Sequence, residues 1–141
     1  MQIDVRNDQR EAPVAVAAMR RLARRAVVAL KVRKTGRLAV TFIGSAPMRR
    51  LNKRFLGHDR NTDVLSFRYD TAPGTQTVVG EILISPKAAQ TYAKRHRLAY
   101  REELSRYVVH GLLHWLGNED ATAAQQRKMR ALEDRLLARC S

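Results

Sequence analysis

Two histidines at helical spacing, followed by a glycine and an acidic residue, form the segment of this sequence best suited to chemistry. His110 and His114 are four positions apart, and Gly117 and Asp120 follow them. Residues at this spacing lie on one helix face about one turn apart, so both imidazoles can reach one metal ion. Gly117 allows a positive-φ turn that returns Asp120 towards that face. Two nitrogens, one oxygen and an open fourth position predict a catalytic site with one Zn²⁺ per chain, or another divalent ion in its place.

The same residues have other interpretations. The two histidines also fit the core of an otherwise apolar helix, with their ring nitrogens satisfied by hydrogen bonds. Gly117 and the carboxylates beyond it favour the metal site. The third ligand has two candidates, Asp120 and Glu119, of which Asp120 has the better spacing. In the metal interpretation His110, His114 and Asp120 act in catalysis through the ion that they hold.

The balance of charges indicates a polyanionic partner. The chain has 141 residues, with 27 Lys and Arg against 13 Asp and Glu, a formal net charge of +14 and a pI near 11.2. The excess positive charges repel one another in a compact chain. A bound nucleic acid would neutralise Lys and Arg side chains and release its own counterions. The length and a hydrophobic content of 45% are those of one ordinary domain, so we predict a single domain over residues 1–141.

Membrane, secreted and disulfide-bonded classes are disfavoured. No apolar run approaches the roughly 18 residues of a membrane-spanning helix. The first ten residues alternate apolar and charged side chains, which favours a first strand over an export signal. Cys140 is the only cysteine, so no internal disulfide is possible, and we expect a cytoplasmic, reducing location.

Hydrophobic periodicity and turn residues predict a layered domain. Strands are expected within residues 1–10 and over 38–43, 62–67 and 78–84. Helices are expected to begin at Glu11–Pro13, at Ser45, at Ser85–Pro86, near Tyr100 and near Thr122. This order predicts an α/β, or α+β layered, fold with a small mixed four-stranded sheet and about five helices. The metal site would lie on a helix in the C-terminal half.

Local signals also predict how some helices start and which way they face. Ser45 is expected to cap a short basic helix that directs Met48, Leu51 and Phe55 inwards. The segment Thr122–Gln125 has the form of a capping box at the start of the last helix.

Three motifs together resemble those of the bacterial YbeY family. They are His110-Gly-Leu-Leu-His114-Trp-Leu-Gly117, Asn61-Thr-Asp-Val-Leu-Ser-Phe67 and Gly80-Glu-Ile-Leu-Ile-Ser85. The resemblance covers the chain from about Leu38 onward. It implies a metal-dependent, single-strand-specific endoribonuclease that acts in ribosomal RNA processing, ribosome maturation and quality control. It also implies a ribosomal RNA precursor as substrate, with small-subunit ribosomal proteins and an Era-like GTPase as partners.

Two positions depart from the family pattern. The family's usual third ligand is a histidine ten residues after the first, where this chain has Asp120. A carboxylate oxygen binds zinc at about the same distance as a nitrogen, so we expect the site to survive with an altered metal affinity and a less acidic bound water. The family also tends to have an arginine at the position of Leu56. If that arginine steadies a phosphate, then Arg54, His58 or Arg60 would have to replace it.

Polar and basic residues near these motifs are candidates for contact with RNA. His58 fits a proton shuttle or a phosphate contact, because histidines titrate near neutral pH, and equally fits an exposed loop residue. Asp63 fits either a group that orients a metal ligand or a turn cap, and Ser66 either a substrate contact or an ordinary strand residue. The full set of candidate RNA contacts is Arg54, His58, Arg60, Ser66, Lys94, Arg95 and Arg97.

Two other functions compete with ribonuclease activity. A zinc protease shares this histidine spacing, but the glutamate that follows the first histidine in those enzymes is replaced here by Gly111. A ribosome-associated RNA-binding factor, with a structural metal and little catalysis, would still bind RNA after loss of His114. Cleavage measured beside binding separates that factor from a nuclease.

Overall fold

The structure, a computed structural model, describes residues 1–56, 63–69 and 78–140 and has four strands and five helices within them. The strands are β1 (Gln2–Asp8), β2 (Arg37–Ile43), β3 (Val64–Arg68) and β4 (Val78–Ile84). The helices are α1 (Val16–Ala29), α2 (Ser45–Leu56), α3 (Pro86–His96), α4 (Tyr100–Trp115) and α5 (Ala123–Cys140). Not one of these five helices combines the length and the apolar character needed to cross a membrane.

The strands form one mixed sheet in the order β1-β2-β4-β3. β1 pairs in parallel with β2, and β2 pairs in parallel with β4, whereas β3 is antiparallel to β4. Parallel neighbours need long crossover connections, which α1 provides for the first pair and the segment containing α2 and β3 provides for the second. The predicted mixed sheet with five helices is confirmed.

Alternating side chains give the sheet two covered faces. Val40 and Ile82, at most 1% exposed, face the larger core, which the sheet forms with α1, α4 and α5. Leu65 and Met48 belong to a smaller cluster on the other face, against α2, and Leu83 packs on that cluster. β4 is therefore covered on both sides, as its nearly continuous apolar sequence predicts.

α4 lies close against the sheet because two glycines leave no side chain between them. A Cβ added to Gly111 of α4 would lie 2.5 Å from Ile82 Cγ2, and one added to Gly80 of β4 would lie 2.1 Å from Trp115 Nε1. Real Cβ atoms essentially never make such contacts, so only glycine fits at these two positions. Trp115 is buried, and its indole N–H donates to the Val79 carbonyl at 3.4 Å. This packing fixes the rotation of α4 about its own axis.

The expected start of the first helix at Glu11–Pro13 is wrong. α1 begins at Val16. The Gln9 side-chain oxygen accepts hydrogen bonds from the backbone N–H groups of Glu11 and Ala12, at 2.9 and 3.0 Å. These bonds fold the segment before α1 into a bend, and the segment does not enter the helix.

Two expectations for α2 are also wrong, whereas two others hold. Ser45 is the first helical residue and not the cap, and its backbone N–H and its hydroxyl both donate to Glu11 Oε1, at 2.7 and 3.0 Å. Phe55 is 54% exposed, although its ring contacts Phe67 edge to face. Met48 and Leu51 do face the smaller cluster.

Candidate metal centre

Three potential ligands converge between α4 and the segment that precedes α5. His110 Nε2 and His114 Nε2 lie 3.4 and 3.3 Å from the same oxygen, Asp120 Oδ2. One ligand atom from each of the three residues lies within 4.8 Å of the others. Ligands bound tetrahedrally at about 2.1 Å are about 3.4 Å apart, so this spacing fits a zinc-sized ion. The predicted group is thus brought together, and it could hold a metal ion.

The packing of α4 on the sheet directs both histidines away from the core. Gly111 faces the sheet, and at about 100° per residue His110 and His114 project to the same side of that direction, roughly 40° apart. Their ring centroids are 4.5 Å apart. Their side chains are 26% and 28% exposed, which is not the burial of core histidines.

A left-handed turn at Gly117 ends α4 and returns the chain towards the histidines. Gly117 has a φ of 99°. Its backbone N–H donates to the His114 carbonyl at 2.9 Å, and the N–H of Asn118 donates to the Leu113 carbonyl at 3.0 Å. These two bonds form a Schellman motif, in which glycine is the favoured residue at the positive-φ position. The turn places Asp120 beside the face that carries His114.

The start of α5 fixes the other end of this segment. The predicted capping box is confirmed: Gln125 N donates to Thr122 Oγ1 at 3.1 Å, and Thr122 N donates to Gln125 Oε1 at 3.0 Å. Glu119 is exposed and accepts from the Gln125 side chain at 3.4 Å. Asp120, and not Glu119, therefore faces the two histidines.

The carboxylate of Glu133, on α5, contacts His110 at Nδ1, the ring nitrogen that does not face Asp120. Its Oε2 lies 2.6 Å from His110 Nδ1, and its side chain is only 5% exposed. Its other oxygen accepts from Arg106 Nη1 at 2.9 Å, while Arg106 Nη2 donates to Asp134 at 2.7 Å. A ligand histidine that donates its second ring N–H to a carboxylate has a fixed tautomer and a fixed ring orientation. Glu133 thus holds the Nε2 atom of His110 towards Asp120.

The surroundings of Glu133 keep its carboxylate ionised. Burial alone would raise the pKa of Glu133, but the hydrogen bonds with His110 and Arg106 and the positive charge near it hold that pKa below its usual value. An ionised carboxylate can accept the Nδ1 proton of a neutral His110, which leaves the Nε2 lone pair free for a metal.

The candidate ligands line an open cleft of about 750 Å³, which we call the metal cleft. Ser66 also lines it, and its hydroxyl donates to the Gly111 carbonyl at 2.8 Å, so this side chain joins β3 to α4. Asp63 lines the cleft and accepts a hydrogen bond from Tyr107 at 3.1 Å. Burial raises the pKa of Asp63, and the bond from Tyr107 opposes that rise. A role for Ser66 in substrate contact stays a prediction.

The candidates for replacing the family arginine stay predictions as well. Arg54 is exposed on α2, and its guanidinium lies 5.5 Å from the centroid of the Phe55 ring. Arg54 is not among the residues that line the metal cleft. His58 and Arg60 lie outside the described residues, as does the side chain of Leu56.

The basic residues at the end of α3 do not all lie at one place, and their role in RNA contact stays a prediction. Lys94 and Arg97 are exposed, and Arg97, with a φ of 55°, is the left-handed residue that ends the helix. Arg95 lines a second cavity next to the metal cleft. The structure therefore brings one of the three near the site.

Glu133 and Arg106 are not among the residues that the motifs identify. Glu133 lies on the buried stripe of α5 with Met129 and Leu136, at helical spacing. A charged residue on a buried helix stripe needs a partner, so its place in this apolar pattern could have identified Glu133 from the sequence. The partner itself, His110, follows only from how α4 and α5 pack together.

Comparisons with known proteins agree with these observations. The model of a family described as endoribonuclease YbeY matches residues 3–141. A Thermodesulfovibrio yellowstonii protein named endoribonuclease YbeY is 37% identical over 103 residues, which are 72% of this chain and 65% of that relative's length. A Thermobifida fusca protein of the same name is 34% identical over 145 aligned positions, covering 98% of this chain and 93% of the relative. A solution structure from Thermotoga maritima has the same fold, with a TM-score of 0.65 at 20% identity over 99% of this chain and 89% of that one.

Replacing Asp120 with alanine should abolish stoichiometric metal binding, because it removes the oxygen that faces both Nε2 atoms. Calorimetric titration of metal-free protein with Zn²⁺ should show one site in the wild type and a loss of at least about 100-fold in affinity in Asp120→Ala. Glu119→Ala removes the adjacent exposed carboxylate and should bind like the wild type. Loss of binding in Glu119→Ala alone would mean that the third ligand is misassigned.

Glu133→Gln should weaken zinc binding about 10- to 100-fold, because the neutral amide no longer polarises the ring of His110. Asp134→Asn is the matched control, since Asp134 also bonds Arg106 but does not contact His110. Competition with a chromophoric chelator measures both affinities, and circular dichroism checks that both variants fold. Equal zinc affinities in the two variants would rule out the orienting role of Glu133.

Proposed function

The chain belongs to the YbeY family of endoribonucleases, and we propose that it cleaves single-stranded RNA at a divalent ion held by His110, His114 and Asp120. Family membership makes it a hydrolase that acts on RNA in ribosomal RNA processing. The observation that carries the mechanism is the convergence of three ligand atoms, spaced for one ion, in an open cleft.

The side chains of the site have distinct tasks in this mechanism. His110, His114 and Asp120 would hold the divalent ion, which when bound would supply a Lewis acid able to neutralise charge on a phosphoryl oxygen and to lower the pKa of water. The three candidate ligands among the described residues lie on an open cleft, which would leave room for substrate or water beside them. Glu133 holds the Nδ1 proton of His110, so Nε2 keeps its lone pair. Asp120 is the one carboxylate among the three candidate ligands, so the site would keep a net positive charge with a divalent ion bound and would attract phosphate.

Zinc is the ion we propose. Two imidazole nitrogens and one carboxylate oxygen are ligands that zinc accepts, and the distances of 3.4 and 3.3 Å from the Asp120 oxygen to the two histidine nitrogens suit a tetrahedral site. Mg²⁺ prefers oxygen ligands in octahedral geometry and is a poorer match to two imidazoles.

The competing functions fit the structure less well. A glutamate at position 111, as a zinc protease requires, would point into the sheet, because a Cβ there meets Ile82. A purely structural zinc site is usually closed by four protein ligands, whereas the part of the chain that the structure describes provides three candidate ligands, and they lie on an open cleft.

Partners and location rest on the family and on charge. A formal charge of +14 suits a chain that works on ribosomal RNA, which carries one negative charge per phosphate. We propose small-subunit ribosomal proteins and an Era-like GTPase as partners in ribosome maturation and quality control, and the cytoplasm as the location of this work. A proton-shuttle role for His58 is part of the same proposal.

His114→Ala should lose RNA cleavage by more than about 100-fold, because the loss of a ligand exceeds the loss of an outer contact. Its affinity for the same RNA, measured without divalent ions, should stay within about twofold of the wild type, because Lys and Arg side chains provide that binding. The assay combines cleavage of a labelled single-stranded oligonucleotide with fluorescence anisotropy, and Glu119→Ala is the control. No cleavage above background by either zinc-loaded protein would favour the RNA-binding factor with a structural metal. Cleavage that is unchanged in His114→Ala would contradict the assignment of the reaction to this metal centre.

A further inference from the structure

A second cavity adjoins the metal cleft between α2 and α3. Its volume is about 400 Å³, within the roughly 300–1,000 Å³ typical of small-ligand sites. Asp63 lines both this cavity and the metal cleft, so the two share a wall. The Ser85 backbone N–H donates to the Asp63 carbonyl at 3.0 Å and fixes the start of α3 against that wall. We call this recess the α2–α3 cavity.

Positive side chains dominate the wall of the α2–α3 cavity. Among the described residues, Arg49 of α2 and Lys87 and Arg95 of α3 line it, together with one carboxylate, that of Asp63. All three cations are exposed, and within the described part of the chain none of them forms an ion pair with a carboxylate. Asp63 is itself bonded to Tyr107, which lines the metal cleft. A recess surrounded by uncompensated cations attracts an anion.

The same wall has an aromatic surface. Tyr92 lines the cavity, is 40% exposed and packs its ring on His96, with centroids 4.1 Å apart. Met48 and Ala88 add apolar atoms. Proteins that bind single-stranded nucleic acid combine such features, with cations along the backbone and aromatic rings under the bases.

We propose that the α2–α3 cavity binds one nucleotide of the RNA strand next to the phosphodiester bond that is cleaved. Arg49, Lys87 and Arg95 bind its phosphate, and Tyr92 stacks on its base. The assignment rests on the proposed nuclease function of the metal cleft, since a strand leaving that cleft over Asp63 enters this recess. A base held in a duplex is stacked and paired and cannot enter it, so the cavity also provides a reason for preferring single strands.

The first test is a comparison of two double variants that remove the same charge. Arg49→Ala/Arg95→Ala changes the cavity, whereas Arg21→Ala/Arg24→Ala removes two arginines from α1, which lines neither cavity. Binding of a fluorescent ten-nucleotide single-stranded RNA is measured by anisotropy, without divalent ions and over a range of salt concentrations. The cavity variant should lose about tenfold or more in affinity. The affinity of the cavity variant should also depend less on salt. Its negative slope of log affinity against log salt concentration should be shallower by about 0.7, the effect of one lost phosphate contact on a single strand.

The outcomes of this comparison are distinct. The control pair should lose no more than about twofold in affinity, because its arginines contribute only to the protein's overall positive electrostatic potential, which salt screens. Equal losses in the two pairs would overturn the proposal and leave only general attraction between a basic protein and RNA. Full competition by inorganic phosphate at equal concentration would also overturn it, because the base would then contribute nothing.

A second measurement separates this proposal from the nuclease function itself. Zinc-loaded protein is given RNA substrates that extend one nucleotide at a time on either side of the cleaved bond. For the wild type, kcat/KM should rise about tenfold when one particular nucleotide is added on one side of the cleaved bond. This rise should be absent in Arg49→Ala/Arg95→Ala but present in the control pair. A rise that persists in the cavity variant would overturn the assignment while the nuclease function stands. If the wild type cleaves no RNA, the nuclease function fails and the anisotropy result alone decides whether the cavity binds RNA.

Discussion

The close contact between α4 and the sheet determines the geometry of the site. Gly111 lets the helix approach Ile82 so tightly that no other residue fits, and the Arg68 guanidinium anchors the end of α4 by donating to the Trp115 carbonyl. With its rotation fixed in this way, α4 can present the two histidines only to the cleft. Ligands on a helix that packing holds rigid are positioned more precisely than ligands on a loop.

The other residues of the site lie on α5 and in the segment that precedes α5, and they contact the histidine face of α4. The Gly117 turn and the capping box of α5 hold the short segment that carries Asp120. Glu133 is buried against His110 and Arg106, and a buried carboxylate without such partners would be strongly destabilising. The same contact therefore stabilises the packing of α4 on α5 and orients a candidate metal ligand. Metal affinity and helix packing should be coupled in this protein.

Local patterns predicted the parts of the molecule that depend on local physics. The i, i+4 histidines, the glycine that ends α4 and the Thr122–Gln125 capping box each act within one or two turns, and the structure shows all three. The start of α1 was not predictable in this way, because the Gln9 side chain competes with the helix for backbone N–H groups. Glu133 meets His110 only through the packing of two helices, which no single stretch of sequence encodes.

The proposed function requires one divalent ion bound between two imidazoles and one carboxylate in the metal cleft. Anomalous diffraction at the zinc edge, from crystals of the metal-loaded protein, tests it most directly. We expect a single peak about 2.0–2.2 Å from His110 Nε2, His114 Nε2 and an Asp120 oxygen, with His110 Nδ1 still facing Glu133. A peak elsewhere, or none between these residues at full zinc saturation, would contradict it.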